Sequence, residues 1–284
     1  MLKQRIITAI VCLPIVFYLL IWADQKIATF FFLVCIGLSV FEISGLMLPA
    51  LEQRLNANPS KTGYSFKKWQ LLCVIFAIFM FLISTFGDQR AGRGGIVLGM
   101  SLLMLVGVFS SRTIERSMVR LTGFLVSICY GCLPWLAIWD VYIMGQYGQG
   151  LMLVIAIVMS NDTGAYFGGR HFGKRKLAKT LSPKKTWEGA FFGIISGVCG
   201  ALLINALYQF KIGSWPVMVV AGIVGGIAGI MGDLVESAFK RFAGVKDSGK
   251  VFPGHGGFLD RVDSLLFAAP AVWFILYANE VFVK

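Results

Sequence analysis

Charge is scarce in this chain. Only 14% of its 284 residues are Asp, Glu, Lys or Arg, 57% are hydrophobic, and mean hydropathy is +0.77. That balance excludes an ordinary soluble domain, because too little polar surface is available to cover one. Histidine is nearly missing. Only His171 and His255 are present. The six cysteines (Cys12, Cys35, Cys73, Cys129, Cys132, Cys199) all fall in apolar runs. Cys129 and Cys132 form a CxxC, but no second pair or nearby histidine completes a zinc site, so all six read as small packing residues. No internal repeat or low-complexity tract stands out.

What is present is membrane sequence. A spanning helix needs about 20 mostly apolar residues, and nine such runs recur: Ile6–Trp22, Ile27–Leu48, Trp69–Phe86, Gly94–Ser110, Leu121–Trp139, Gly150–Phe167, Trp187–Phe210, Trp215–Val235 and Ser264–Val283. Helices satisfy their own backbone groups in lipid, so the predicted class is an all-α polytopic membrane protein with about nine spans. The basic start followed by an apolar run lacks a small-x-small cleavage site, which predicts a retained first helix. With the N-terminus inside, 21 of the 26 Lys and Arg fall on the cytoplasmic side. This follows the positive-inside rule and predicts an N-in, C-out protein with an odd number of spans. The net charge of +12 then describes one membrane face, suited to anionic lipids or an anionic substrate. Nucleic acid is excluded for want of a soluble domain.

Residues 1–149 read as about five spans with cytoplasmic connectors, and 150–284 as the region that carries chemistry. In the first half Glu42 departs from the pattern. An acid inside a span faces a cavity or a partner, or snorkels from near the membrane edge, and both readings stand. Asp162, in the run SNDTGAYFGGR, sits among small and polar residues that suggest a polar cavity. The loop RHFGKRKLAKTLSPKKTW follows. Ser182-Pro183 predicts a turn and a helix start, gathering Ser182, Lys184, Lys185 and Thr186 where phosphate binds well. A positive-inside loop reads equally well there. The pairs Gly222/Gly226 and Gly225/Gly229 predict close helix packing that fixes where Asp233 points.

The densest polar stretch is Gly232 to Ser264, with five of the fourteen acids (Asp233, Glu236, Asp247, Asp260, Asp263) and five bases (Lys240, Arg241, Lys246, Lys250, Arg261). Asp233, Ser237 and Lys240 share a helical face. Asp260 and Asp263 lie one turn apart where the last span begins. These acids either converge on a hard cation such as Mg²⁺, which takes carboxylates, water and substrate phosphates, or serve as helix-end groups, with Asp263 capping the last helix.

SAFKRFAGVKDSGKVFPGHGGFLDRVD, from Ser237 to Asp263, resembles the signature of the phosphatidate cytidylyltransferases, or CDP-diacylglycerol synthases. SNDTGAYFGG from Ser160 and LSPKKTWEG from Leu181 resemble the blocks that precede it. The resemblance implies a reaction of CTP with phosphatidic acid that gives CDP-diacylglycerol and pyrophosphate and requires Mg²⁺. It also implies a homodimer, a site open to the cytoplasm, and a second cation, potassium, associated with that site. It assigns the divalent ion to Asp233 and Asp260, with Asp263 helping directly or through water. Lys240, Arg241 and Lys246 are expected on phosphates, beside Asp247. Ser182, Lys184 and Lys185, with Asp162 and Ser237, are expected to bind substrate. His255 either donates to the leaving pyrophosphate or orders the glycine loop. A transporter reading predicts inverted repeats and a midplane site, whereas the charge here collects at one face. The DGxxAR pattern of phosphotransferases that use CDP-diacylglycerol is missing.

Overall fold

The computed structural model describes residues 18, 24–55, 64–87, 89–109, 111, 113–144, 148–209, 212–252 and 256–282, without the side chains of 64, 65, 89–93 and 280–282. The described residues are helical almost throughout. In chain order the helices are α1 (Gln25–Arg54), α2 (Tyr64–Phe86), α3 (Gln89–Phe109), α4 (Ile114–Gly131), α5 (Leu133–Ile143), α6 (Gln149–Phe172), α7 (Trp187–Leu207), α8 (Trp215–Phe242) and α9 (Leu259–Phe282). Seven stretches among them are long and apolar enough to cross a membrane, and Gly94–Phe109 is a shorter apolar helix. The chain is therefore an all-α polytopic membrane protein. The predicted first span, Ile6–Trp22, lies outside the described residues save for Tyr18.

The run Leu121–Trp139 falls within one stretch long and apolar enough to span, Ile114–Ile143, whose helix is interrupted at Cys132. Pro134 brings no N–H to bond the carbonyl four residues back, so the first helix ends and α5 starts anew. Two expectations need correction. Ser182-Pro183 does not start a helix. Lys176–Ala178 (β1) and Ser182–Thr186 (β2) form an antiparallel hairpin pairing Lys176 with Thr186 and Ala178 with Ser182. Pro183 is tolerated in this two-stranded piece because each strand is an edge. The helix waits for Thr186, whose hydroxyl accepts from Gly189 N at 3.1 Å, a side-chain cap of the preferred kind. Last, α9 begins at Leu259, so Asp263 lies inside the helix and is not its cap.

The chain divides into two compact units. One is built on Ala137–Ala238 and Arg261–Lys284. Its core is a set of close helix contacts made possible by missing side chains. A Cβ at Gly193 would come within 2.9 Å of the Asn161 carbonyl, and one at Gly222 within 2.6 Å of Val198 Cα. Small residues drive association where no hydrophobic force acts between helices. Along α8 the same device sets the position of Asp233. A Cβ on Gly232 would strike the Asp263 carbonyl and lie 3.1 Å from Phe267 Cβ, whereas one on Gly229 would meet only ordinary contacts at 3.7 Å and beyond. Gly232→Val is therefore expected to lower stability by about 1–3 kcal/mol through overpacking, and Gly229→Ala to be tolerated. Thermal inactivation midpoints of the two variants in detergent check this.

The other unit comprises Lys26–Leu136 and Phe239–Asp260. Its interior is aromatic and aliphatic: Ile36, Val40, Ile43, Phe81, Phe124 and Ile128 are fully buried. Phe32 stacks on Phe81 and meets the edge of Trp135, and the Trp135 indole donates to Ser39 Oγ at 2.9 Å. Trp135 also stacks on Phe258, with centroids 5.9 Å apart, so the segment before α9 is seated on this core. Cys35, Cys73 and Cys132 are buried here as packing residues, while Cys129 in this unit and Cys199 in the other are exposed. All five are free thiols.

Candidate active site

In the first unit a cavity of about 390 Å³ opens between α6, α7, α8 and the hairpin, lined by Asp162, Tyr166, Arg170, Lys184, Lys185 and Asp233 among others. The hairpin carries its lysines to this place because Glu188, in the first turn of α7, ties the preceding loop down. Its carboxylate accepts from Lys174 N at 3.0 Å and Arg175 N at 3.2 Å. Lys185 Nζ pairs with Asp233 Oδ2 at 2.6 Å and reaches the Ile230 carbonyl at 3.4 Å. Ser237, one turn below Asp233, donates to its Oδ1 at 3.2 Å. Both partners of the ion pair keep about a third or less of their side-chain surface exposed (26% and 32%), so the pair is accessible to a ligand and held mainly by proximity. A pair of this exposure contributes at most about 1 kcal/mol, which makes it easy to exchange.

In the second unit the polar cluster is buried. Lys240 Nζ pairs with Asp260 Oδ1 at 2.6 Å, with side chains 11% and 8% exposed. Asp260 Oδ2 accepts from Ser248 N at 2.8 Å, Ser248 Oγ at 3.0 Å and Gly257 N at 2.8 Å. The backbone takes this shape through two left-handed glycines. Gly244 (φ 70°) ends α8, as glycine commonly does at that point of a helix. Gly256 (φ 84°) brings the chain back so close that a Cβ there would lie 2.6 Å from Asp260 Oδ2.

Several residues singled out in the sequence thus come together. Asp162, Lys184, Lys185 and Asp233 line one cavity, with Ser237 bonded to Asp233, and Lys240 and Asp260 form one pair. Others stand apart. Ser182 sits at the start of β2 and is not among the cavity's lining. Lys246 and Asp247 are exposed, and the Arg241 guanidinium donates to the Val245 carbonyl at 3.2 Å. Asp263 accepts from Ser264 N at 2.6 Å. His255 lies outside the described residues.

Sequence reasoning singled out none of Ser248, Arg170 and Tyr166, although each lies in a stretch quoted above, and left Glu42 undecided. The structure buries Glu42 (6% exposed) and aims three donors at it: Phe258 N and Leu259 N at 2.9 Å and Ser248 Oγ at 3.1 Å. It does not snorkel. An acid in an apolar run was the signal.

Basic groups beside an accessible carboxylate, on a helical membrane scaffold, suit a phosphate-bearing substrate. The sequence model of the cytidylyltransferase family matches residues 3–278. The chain belongs to the cytidylyltransferase family. It is accordingly a membrane-embedded nucleotidyltransferase. Among its relatives, the phosphatidate cytidylyltransferase of Staphylococcus epidermidis is 32% identical over 278 residues, covering 97% of this chain and 99% of that protein. The Bacillus subtilis protein of the same name is 31% identical over 284 residues, 97% of each. The Brucella suis phosphatidate cytidylyltransferase is 46% identical over 123 residues, 43% of this chain and 45% of the relative.

For a family member that handles a nucleoside triphosphate, a divalent cation is chemically apt. Among the described residues no group of three or more acids, histidines or cysteines could hold a metal by itself. Mg²⁺ is usually bound through one or two carboxylates plus substrate phosphates and water rather than a protein cage. Asp233 suits the role directly, being part-exposed on a cavity. Asp260 suits it on the Oδ1 side, where Lys240 is the group that must move.

Proposed function

We propose that this enzyme transfers the cytidylyl group of CTP to phosphatidic acid, giving CDP-diacylglycerol and releasing pyrophosphate. The observation that carries the reading is the Lys184–Lys185–Arg170 rim around Asp233 in a cavity of a membrane-spanning helix bundle. A lipid phosphate needs such cations while its acyl chains stay in the bilayer. The full-length relatives named phosphatidate cytidylyltransferase support it.

The chemistry asks little of acid–base groups. A phosphate monoester has its second pKa near 6, so the lipid phosphate is largely a dianion at neutral pH. Its oxygen attacks the α-phosphorus of CTP, a new P–O–P bond forms, the α–β bridge breaks, and pyrophosphate departs with the bridging oxygen. No proton has to be removed from the nucleophile. The two histidines need play no part in that step; His171 hydrogen-bonds with the Phe167 carbonyl at 2.9 Å. Catalysis becomes the alignment of two anions and the stabilisation of spreading charge.

The residues take roles accordingly. Lys185, released from Asp233, faces an incoming phosphate, and Lys184 receives the lipid phosphate with Arg170. Asp162 and Ser237 order the cavity. Lys240, when it leaves Asp260, becomes a cation for phosphate. Bound Mg²⁺ would supply charge neutralisation on the CTP phosphates; the resemblance assigns Asp233 and Asp260 to it. The resemblance further assigns a homodimer, a potassium ion, and an inner-membrane location with the site on the cytoplasmic side. The one-sided distribution of lysine and arginine supports that orientation.

The first test is pyrophosphate release by purified protein in detergent with CTP, phosphatidic acid and Mg²⁺, each omitted in turn. Release that needs all three is expected; release without phosphatidic acid would sink the reading. A second test assigns the hairpin. Lys184→Ala is expected to raise the KM for phosphatidic acid about tenfold, the scale of one charge-assisted hydrogen bond, and to change that for CTP less. The reverse pattern would give the hairpin to the nucleotide.

A further inference from the structure

Glu42 is a buried acid that the reaction above does not use. It lies mid-way along α1. Its Oε1 accepts from Phe258 N, and its Oε2 from Leu259 N and Ser248 Oγ. Phe258 and Leu259 are the residues at which α9 begins, and the first N–H groups of a helix have no partner within it. Local side chains ordinarily satisfy them. Here the cap comes from 216 and 217 residues upstream.

The chain is moulded around this carboxyl. A Cβ on Gly249 would lie 2.8 Å from Glu42 Cδ, and one on Gly257 2.6 Å from Glu42 Oε2. Gly257 also gives its N–H to Asp260 Oδ2. The Ser248 hydroxyl has a single proton and two carboxyl acceptors, Glu42 Oε2 at 3.1 Å and Asp260 Oδ2 at 3.0 Å. Glu42 and Asp260 are thus joined through one hydroxyl and through consecutive residues of one backbone segment, Gly257 to Leu259. Networks of this kind hold their members more firmly than separate bonds do.

We propose that Glu42 is a positioning residue for cytidylyl transfer. It fixes Ser248 and the entry to α9, so that Asp260 stands with Oδ2 fully engaged and only Oδ1, the oxygen on Lys240, available for exchange. This rests on the assignment of Asp260 to the reaction.

Two variants and two readouts test it. Glu42→Gln keeps the length but turns an amide N–H₂ toward one of three donors; Ser248→Ala removes the shared hydroxyl and leaves both backbone caps in place. Glu42→Gln is expected to lower kcat at least about tenfold, with KM for CTP and phosphatidic acid within about threefold, as loss of a charged-acceptor hydrogen bond would. Amide hydrogen exchange in 248–252 and 256–259 is expected to quicken about tenfold, with α6 and α7 unchanged. Ser248→Ala is expected to lower kcat severalfold with little change in exchange. A kcat within twofold of the wild type in Ser248→Ala, or in Glu42→Gln despite faster exchange, would reduce Glu42 to a helix cap and overturn the proposal. Should Glu42→Gln fail to fold, Ser248→Ala decides alone. Wild-type protein that turns over no CTP with phosphatidic acid would sink the proposed reaction, and with it any positioning role, whereas an intact wild-type rate with unaffected variants would sink only the positioning role.

Discussion

Asp260→Asn is expected to reduce cytidylyl transfer at least about 100-fold, the scale of losing one preorganised charged group at a reacting centre, while the protein stays folded in the membrane. The side chain keeps its shape, and its carbonyl oxygen can still accept from Ser248 N and Gly257 N, the partners now 2.8 Å from Oδ2. What is lost is the charge facing Lys240. Neutralising one member of a buried pair also costs stability, and Lys240 is only 11% exposed. The double variant Asp260→Asn/Lys240→Met separates the two effects. It restores stability if the lost ion pair is the problem, and stays inactive if the Asp260 charge itself serves the reaction. Turnover and detergent melting measured side by side decide it; near-normal turnover in the single variant at ordinary Mg²⁺ would take Asp260 out of the site.

The second large effect is expected at Lys185. Its ammonium sits 2.6 Å from Asp233 Oδ2 on the cavity wall, so Lys185→Met leaves a carboxylate where anions must enter. A charge-assisted hydrogen bond contributes about 1.5–3 kcal/mol, and the loss should appear as a 10- to 100-fold fall in kcat/KM. Stability should change little, because the pair is accessible and weak in itself. Unchanged kcat/KM would mark the Lys185–Asp233 contact as structural only.

Much of this site was legible before any coordinates. Asp162 stands out because an acid is costly in apolar sequence, and Asp233 and Asp260 because they fall in the one dense charged stretch. Ser237 and Asp233 share a face by simple helical spacing, and the structure bonds them. The hairpin was not legible. LSPKKTW carries a proline that suits a helix start as well as a strand edge, and only the pairing of Lys176 with Thr186 chooses between them. The break at Cys132 was hidden too, since Pro134 sits within an unbroken apolar run.

Glu42 shows where local reading stops. Its donors are 206 to 217 residues away, and no window of sequence contains both ends of those bonds. By itself the sequence determined the solvent of the protein and where its charge gathers: apolar runs long enough for lipid, and one charged stretch that lipid would reject. These are properties of each segment alone, set by transfer from water. The tertiary structure alone decided the partners, that Lys185 faces Asp233, that Lys240 faces Asp260, and that α1 caps α9. Such pairings depend on which faces helices bury against one another, which glycines and side-chain volumes settle only when the segments pack.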